Sequence, residues 1–163
     1  MTMSISFSGN ELIDIAIGIE KRGIAFYDIM ARSTENVSAR DVFQYLVNME
    51  RKHIQIFQDM RGETDKHPPS ESYAREQDAY LRELINGAVF TDDTATSEMT
   101  TKADSDIAAI ELAISGEKDS ILFYYEMRDI MPPRSQQTVT EIITEEKTHL
   151  RQLSELKKKL ASN

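Results

Sequence analysis

The chain of 163 residues contains no cysteine. Disulfides, a thiolate metal site and a cysteine nucleophile are therefore excluded within it. A zero count suits a reducing cytosol without requiring one. Long apolar runs are missing too, so no segment is expected to span a bilayer. Met1 to Gly9 shows neither a basic stretch nor an apolar one, so no secretory signal is expected and the chain is placed in the cytoplasm. Basic residues are in deficit: 19 Lys and Arg stand against 28 Asp and Glu, for a formal charge of -9. That balance argues against nucleic acid and against an anionic membrane surface as partners. No glycine-rich phosphate loop and no Ser-His-Asp arrangement is present.

What is present is a helical pattern. Hydrophobic residues make up 40% and charged residues 29% of the chain, the balance of a soluble, helix-rich protein of one domain. Four long segments carry apolar residues at helical spacing. The first spans about Asn10 to Arg32, with Ser8 and Glu11 in capping-box spacing. The second spans about Ala39 to Arg61, with Ser38 as the expected N-cap, and Pro68 and Pro69 lie beyond its end. The third spans about Asp106 to Ile130 and stops at Pro132-Pro133. The fourth spans about Ser135 to Leu160, with Lys157 to Lys159 suited to its C-terminal dipole.

Short turns within each pair imply two antiparallel hairpins, 10–61 and 106–161, joined by a crossover over 62–105. A short helix from about Glu71 to Asn86 fits the crossover, followed by an exposed polar loop, Thr91 to Thr101. The expected fold is all-α. It is a single-domain four-helix bundle over 1–163, of the type with one long crossover.

The chain also repeats itself. The run Glu20-Lys-Arg-Gly-Ile-Ala-Phe-Tyr27 matches Glu117-Lys-Asp-Ser-Ile-Leu-Phe-Tyr124, and Glu50-Arg-Lys-His53 matches Glu146-Lys-Thr-His149 at nearly the same separation. The hairpins are thus expected to be related by a pseudo-twofold. Apolar periodicity alone explains the matching Ile and Phe, but not the matching Glu and Glu-x-x-His units. With 16 Glu and three His in the chain, two Glu-x-x-His units would arise by chance about 3% of the time.

Residues three apart share one helix face, so Glu50 pairs with His53 and Glu146 with His149. Glu20, Glu50 and Glu117 each lie among apolar neighbours, on the core side. Four carboxylates in one low-dielectric core cannot all stay ionised unaided. Two divalent cations would cancel their charge, and two neutral imidazoles would add nitrogen ligands. The expectation is a dinuclear site made of Glu20, Glu50, His53, Glu117, Glu146 and His149. The alternative is a set of partly exposed polar residues. One His per metal among many oxygens favours iron or manganese, and zinc is also accommodated. Tyr27 and Tyr124 return to the same face two turns after Glu20 and Glu117, either beside the site or as ordinary core residues. His67 is read as an exposed loop residue and Met49 as packing. Lys21 and Lys118 turn away from the ligand face.

On the Glu-Lys-x-x-Ile-x-Phe-Tyr phrases and the paired Glu-x-x-His units, the chain resembles ferritin-like diiron proteins of the rubrerythrin group across both hairpins. The resemblance implies two iron ions, with Glu20 and His53 on one, Glu117 and His149 on the other, and Glu50 and Glu146 bridging. It implies that Tyr27 and Tyr124 hydrogen-bond ligand carboxylates. It also implies reduction of hydrogen peroxide or dioxygen, each iron giving one electron. Two departures stand out. The four-cysteine iron site of full-length rubrerythrins cannot form here, so a separate electron-donor protein is expected. An extra glutamate expected one turn after Glu117 is replaced by Ser120, which leaves a set as close to a bacterioferritin-type centre. Iron(II) oxidation and iron handling is therefore the second reading, and a metal-stabilised interaction module the third. A homodimer is expected because Tyr73, Tyr80, Leu84 and Phe90 on the crossover exceed the bundle's needs, and so long a crossover permits hairpin exchange.

Overall fold

The computed structural model describes residues 7–61, 71–90 and 105–162, with the side chains of 71–75 outside that description. His67, Pro68, Pro69, the Tyr73 side chain and the Thr91–Thr101 stretch all lie outside the described residues. Five helices follow one another among the described residues: α1 (Gly9–Ser33), α2 (Val37–Met60), α3 (Glu71–Asn86), α4 (Asp106–Ile130) and α5 (Pro133–Ala161). Among the described residues there is no strand. No helix among the described residues is long and apolar enough to cross a membrane.

Local chemistry sets the helix ends. Ser8 Oγ accepts the Glu11 N–H at 3.1 Å while Glu11 Oε2 accepts the Ser8 N–H at 2.8 Å, the reciprocal box expected from the sequence. The cap of α2 is Asn36 rather than Ser38: Asn36 Oδ1 accepts the Ala39 N–H at 2.9 Å. Both side chains suit a cap, and the three-residue turn decides between them, because Thr34 Oγ1 takes the Asn36 N–H at 3.1 Å and fixes the chain just before it. Ser38 instead accepts from Lys159 Nζ at 3.0 Å. Helix α5 begins at Pro133, two residues earlier than expected. A proline in the first turn loses no helical hydrogen bond, so Pro132-Pro133 both stops α4 and opens α5.

The core falls into two apolar halves. One gathers Leu12, Ile13, Phe57, Tyr124, Met127 and Val139. The other gathers Phe26, Phe43, Leu46, Ile110, Leu153 and Leu156. Following each helix from one half to the other gives the directions: α1 and α5 run one way, α2 and α4 the other. Because α2 and α4 run in parallel, the chain must return along the whole bundle, about 37 Å for a helix of this length, before the second hairpin begins. That requirement makes the crossover long.

Helix α3 fills part of the return. Leu81 is buried in the first half-core, and Val89 and Phe90 pack against the second. Asp119 Oδ2 accepts the Val89 N–H at 2.8 Å, and the Phe90 ring lies 4.8 Å from that of Phe26. Phe90 also occupies the space of a missing side chain: a Cβ on Gly116 would fall 2.2 Å from its ring. Leu84 lines a small apolar recess with Ile15, Ile19 and Phe123. Phe90 and Leu84 are thus half-buried against the bundle, whereas Tyr80 is 43% exposed.

Candidate metal centre

Between the two apolar halves lies one polar layer. Glu20 comes from α1, Glu50 and His53 from α2, Glu117 from α4, and Glu146 and His149 from α5. All six are 3% exposed or less. The reading of them as partly exposed polar residues is therefore excluded.

The layer has the symmetry of the sequence repeat. His53 Nδ1 faces Glu146 Oε1 at 2.9 Å, Glu50 Oε2 at 3.2 Å and Glu20 Oε2 at 3.6 Å. His149 Nδ1 faces Glu146 Oε2 at 3.1 Å, Glu50 Oε1 at 3.5 Å and Glu117 Oε2 at 4.0 Å. The imidazoles lie 5.8 Å apart, nearly parallel. Each histidine thus meets the terminal glutamate of its own hairpin and both middle glutamates. Tyr27 donates to Glu117 Oε1 and Tyr124 to Glu20 Oε1, each reaching into the opposite hairpin. Both tyrosines are buried core residues and hydrogen-bond donors at once.

Electrostatics follow from this crowding. Burial, then the charge of Glu50, pushes the Glu20 carboxyl up to about 8. Burial, then the charges of Glu146 and Glu50, raises Glu117 well above the usual range. Burial pushes Glu50 and Glu146 up as well, but hydrogen bonds from the imidazoles and the neighbouring carboxyls outweigh it and hold both low. Burial disfavours the imidazolium of each histidine. Carboxylate hydrogen bonds, led by Glu146, reverse that, raising His53 strongly and His149 to about 9. Burial and the nearby carboxylates raise both tyrosines, so their hydroxyls stay protonated donors.

Free of metal, the layer is then neutral, with protons on Glu20, Glu117 and both imidazoles balancing Glu50 and Glu146. Four protons stand where two divalent cations would bring the same charge. The donor atoms fall into two groups, Glu20, Glu50, His53 and Glu146, and Glu50, Glu117, Glu146 and His149, with the atoms of each group within 4.8 Å of one another. Glu50 and Glu146 belong to both. Six oxygen and nitrogen donors, buried and charge-matched, fit a pair of divalent cations.

Two residues beside the layer were not among the sequence candidates. Glu145, 45% exposed, accepts from His53 Nε2 at 2.6 Å across the hairpin boundary. Tyr45, 43% exposed, sets its ring perpendicular to that of His149 at 6.2 Å. Their positions off the ligand face gave the helical pattern nothing to mark. Lys21 and Lys118 are exposed, as expected.

A family model described as Rubrerythrin matches residues 11–157. Among solved structures, a Thermotoga maritima protein provisionally described as a ferritin-like diiron-carboxylate protein is similar to the chain at 28% identity. Its TM-score is 0.68, and the match covers 94% of this chain and 96% of that one. No curated protein matches. The fold is that of a ferritin-like four-helix bundle, and the chain belongs to the rubrerythrin family.

Proposed function

We propose that the chain is a diiron-carboxylate redox protein that reduces hydrogen peroxide or dioxygen with electrons from a separate donor protein. The observation that carries this reading is the sharing of Glu50 and Glu146 between two buried four-donor groups. Glu20 and His53 would hold one iron, Glu117 and His149 the other, and Glu50 and Glu146 both. Two adjacent iron ions supply two electrons together, which matches the two electrons and two protons that turn hydrogen peroxide into two waters.

The chain's own residues prepare that chemistry. The flanking apolar halves keep bulk water from the layer and strengthen every charge interaction within it. Tyr27 and Tyr124 fix the rotamers of Glu117 and Glu20 by donating to one oxygen of each. With no cysteine to hold a second iron site, electrons would come from a separate donor protein. A cytoplasmic homodimer remains part of the proposal, with Tyr80 the most exposed of the described crossover residues offered for its contact.

Ser120 favours a second reading, iron(II) oxidation with iron passed on. It stands one turn beyond Glu117, and its hydroxyl is occupied with the Gly116 carbonyl at 3.1 Å, so no seventh carboxylate enters from that position. Anaerobic loading with iron(II), then peroxide or oxygen, separates the readings through the near-ultraviolet absorption of the oxidised iron pair. Rapid oxidation by peroxide or oxygen, reversed by added reductant with the iron retained, supports the first. Preference for oxygen with iron released supports the second, and a centre that binds metal without redox change defeats both.

A further inference from the structure

The two halves of the polar layer match in every donor, Glu20 with Glu117, Glu50 with Glu146, His53 with His149, and in Tyr27 with Tyr124. They part company behind the imidazoles. His53 Nε2 lies 2.6 Å from Glu145 Oε2, with Nδ1 turned to the carboxylate cluster. A carboxylate can only accept there, so Nε2 carries a proton, and once metal displaces the other ring proton it is Nδ1 that is left facing the cluster. Such a partner fixes tautomer and ring orientation and raises the basicity of the nitrogen facing a metal.

The repeat places Met49 where a counterpart of Glu145 would serve His149. Met49 carries no carboxylate, and its sulfur is in contact with Lys52 Nζ at 4.0 Å. His149 Nε2 is buried and has no hydrogen-bond partner among the described residues. Tyr45 sets its ring perpendicular to the His149 imidazole at 6.2 Å and brings no carboxylate.

We infer that the two metal positions are inequivalent and that the His53 position fills first, because Glu145 holds the His53 imidazole in its ligating orientation while His149 has no such support. Glu145 is a positioning residue: it acts on the metal through His53. The inference rests on the proposed dinuclear site, and it makes the His149 position the weaker and more readily exchanged of the two.

The test is a titration of the metal-free full chain with zinc(II), a diamagnetic probe, following the nitrogen-15 side-chain resonances of both histidines. In the parent, His53 is expected to respond over the first equivalent and His149 over the second. Glu145→Leu should weaken the first step about 10- to 100-fold and erase the order. Glu145→Gln, which keeps side-chain length and an acceptor oxygen, should fall between, and Met49→Glu should tighten the His149 step. Circular dichroism checks that each variant keeps its helices. Simultaneous response of both histidines in the parent, or an unchanged order in a folded Glu145→Leu, would overturn the inference while leaving the dinuclear site standing. Failure of the parent to bind zinc at all would overturn the site and the inference together.

Discussion

Tyr27 and Tyr124 each satisfy a carboxylate from the opposite repeat, so their hydroxyls serve the layer and the docking of the hairpins at once. Tyr124→Phe leaves Glu20 short of a buried donor and should destabilise the metal-free protein by about 1–3 kcal/mol in denaturant unfolding. The pH response has a definite sign. Glu20 keeps its proton up to about 8 when folded against 4.5 unfolded, and His149 keeps its own up to about 9 against 6.5. The native state therefore binds more protons than the unfolded chain across that window, and metal-free stability should fall as pH rises from about 4.5 through 9. Metal displaces those protons, so affinity should rise with pH over the same interval, which unfolding and binding titrations in parallel would check. The six donor residues could be read from the sequence because type, spacing and repetition coincide. Glu145 could not be found that way, since a residue one position before a ligand turns about 100° away and meets His53 only through tertiary packing. The break of the repeat at Met49 was its one trace.

Among the elements, the helices were legible where periodicity and prolines mark them, and the bounds of α3 and α4 agree with the pattern. The caps were less so, because Asn36 and Ser38 are both good N-caps and the choice depends on how Thr34 ties the turn. Asn36→Ala should cost about 1 kcal/mol of stability, while Ser38→Ala should stay within about 0.5 kcal/mol. Thermal unfolding of the two variants distinguishes the caps directly. The crossover is pinned at Gly116, whose missing side chain admits the Phe90 ring. Gly116→Ala should displace that ring and destabilise by about 1–3 kcal/mol, a loss that Phe90→Ala in the same chain should largely absorb. Nothing in the sequence distinguishes Phe90 from any other apolar residue of the crossover. Its packing against the bundle follows from the path that the parallel α2 and α4 force on the chain.

For the whole molecule, the hairpins meet through a polar layer set between two apolar halves, and both four-donor groups in that layer draw on both hairpins. The formal charge of -9 is accordingly not all surface: four of its acids form the buried layer, and two divalent ions would bring the total to about -5. Metal held in this layer would tie one repeat to the other. A bundle built this way should gain stability on loading, as any ligand specific to the native state confers. The most direct measurement is the metal content of iron-loaded parent and Glu50→Ala, by elemental analysis on protein of equal helix content. Glu50 belongs to both donor groups, so the parent should hold two metals per chain and the variant should lose most of both. Equal metal content in the two proteins would contradict the shared dinuclear centre.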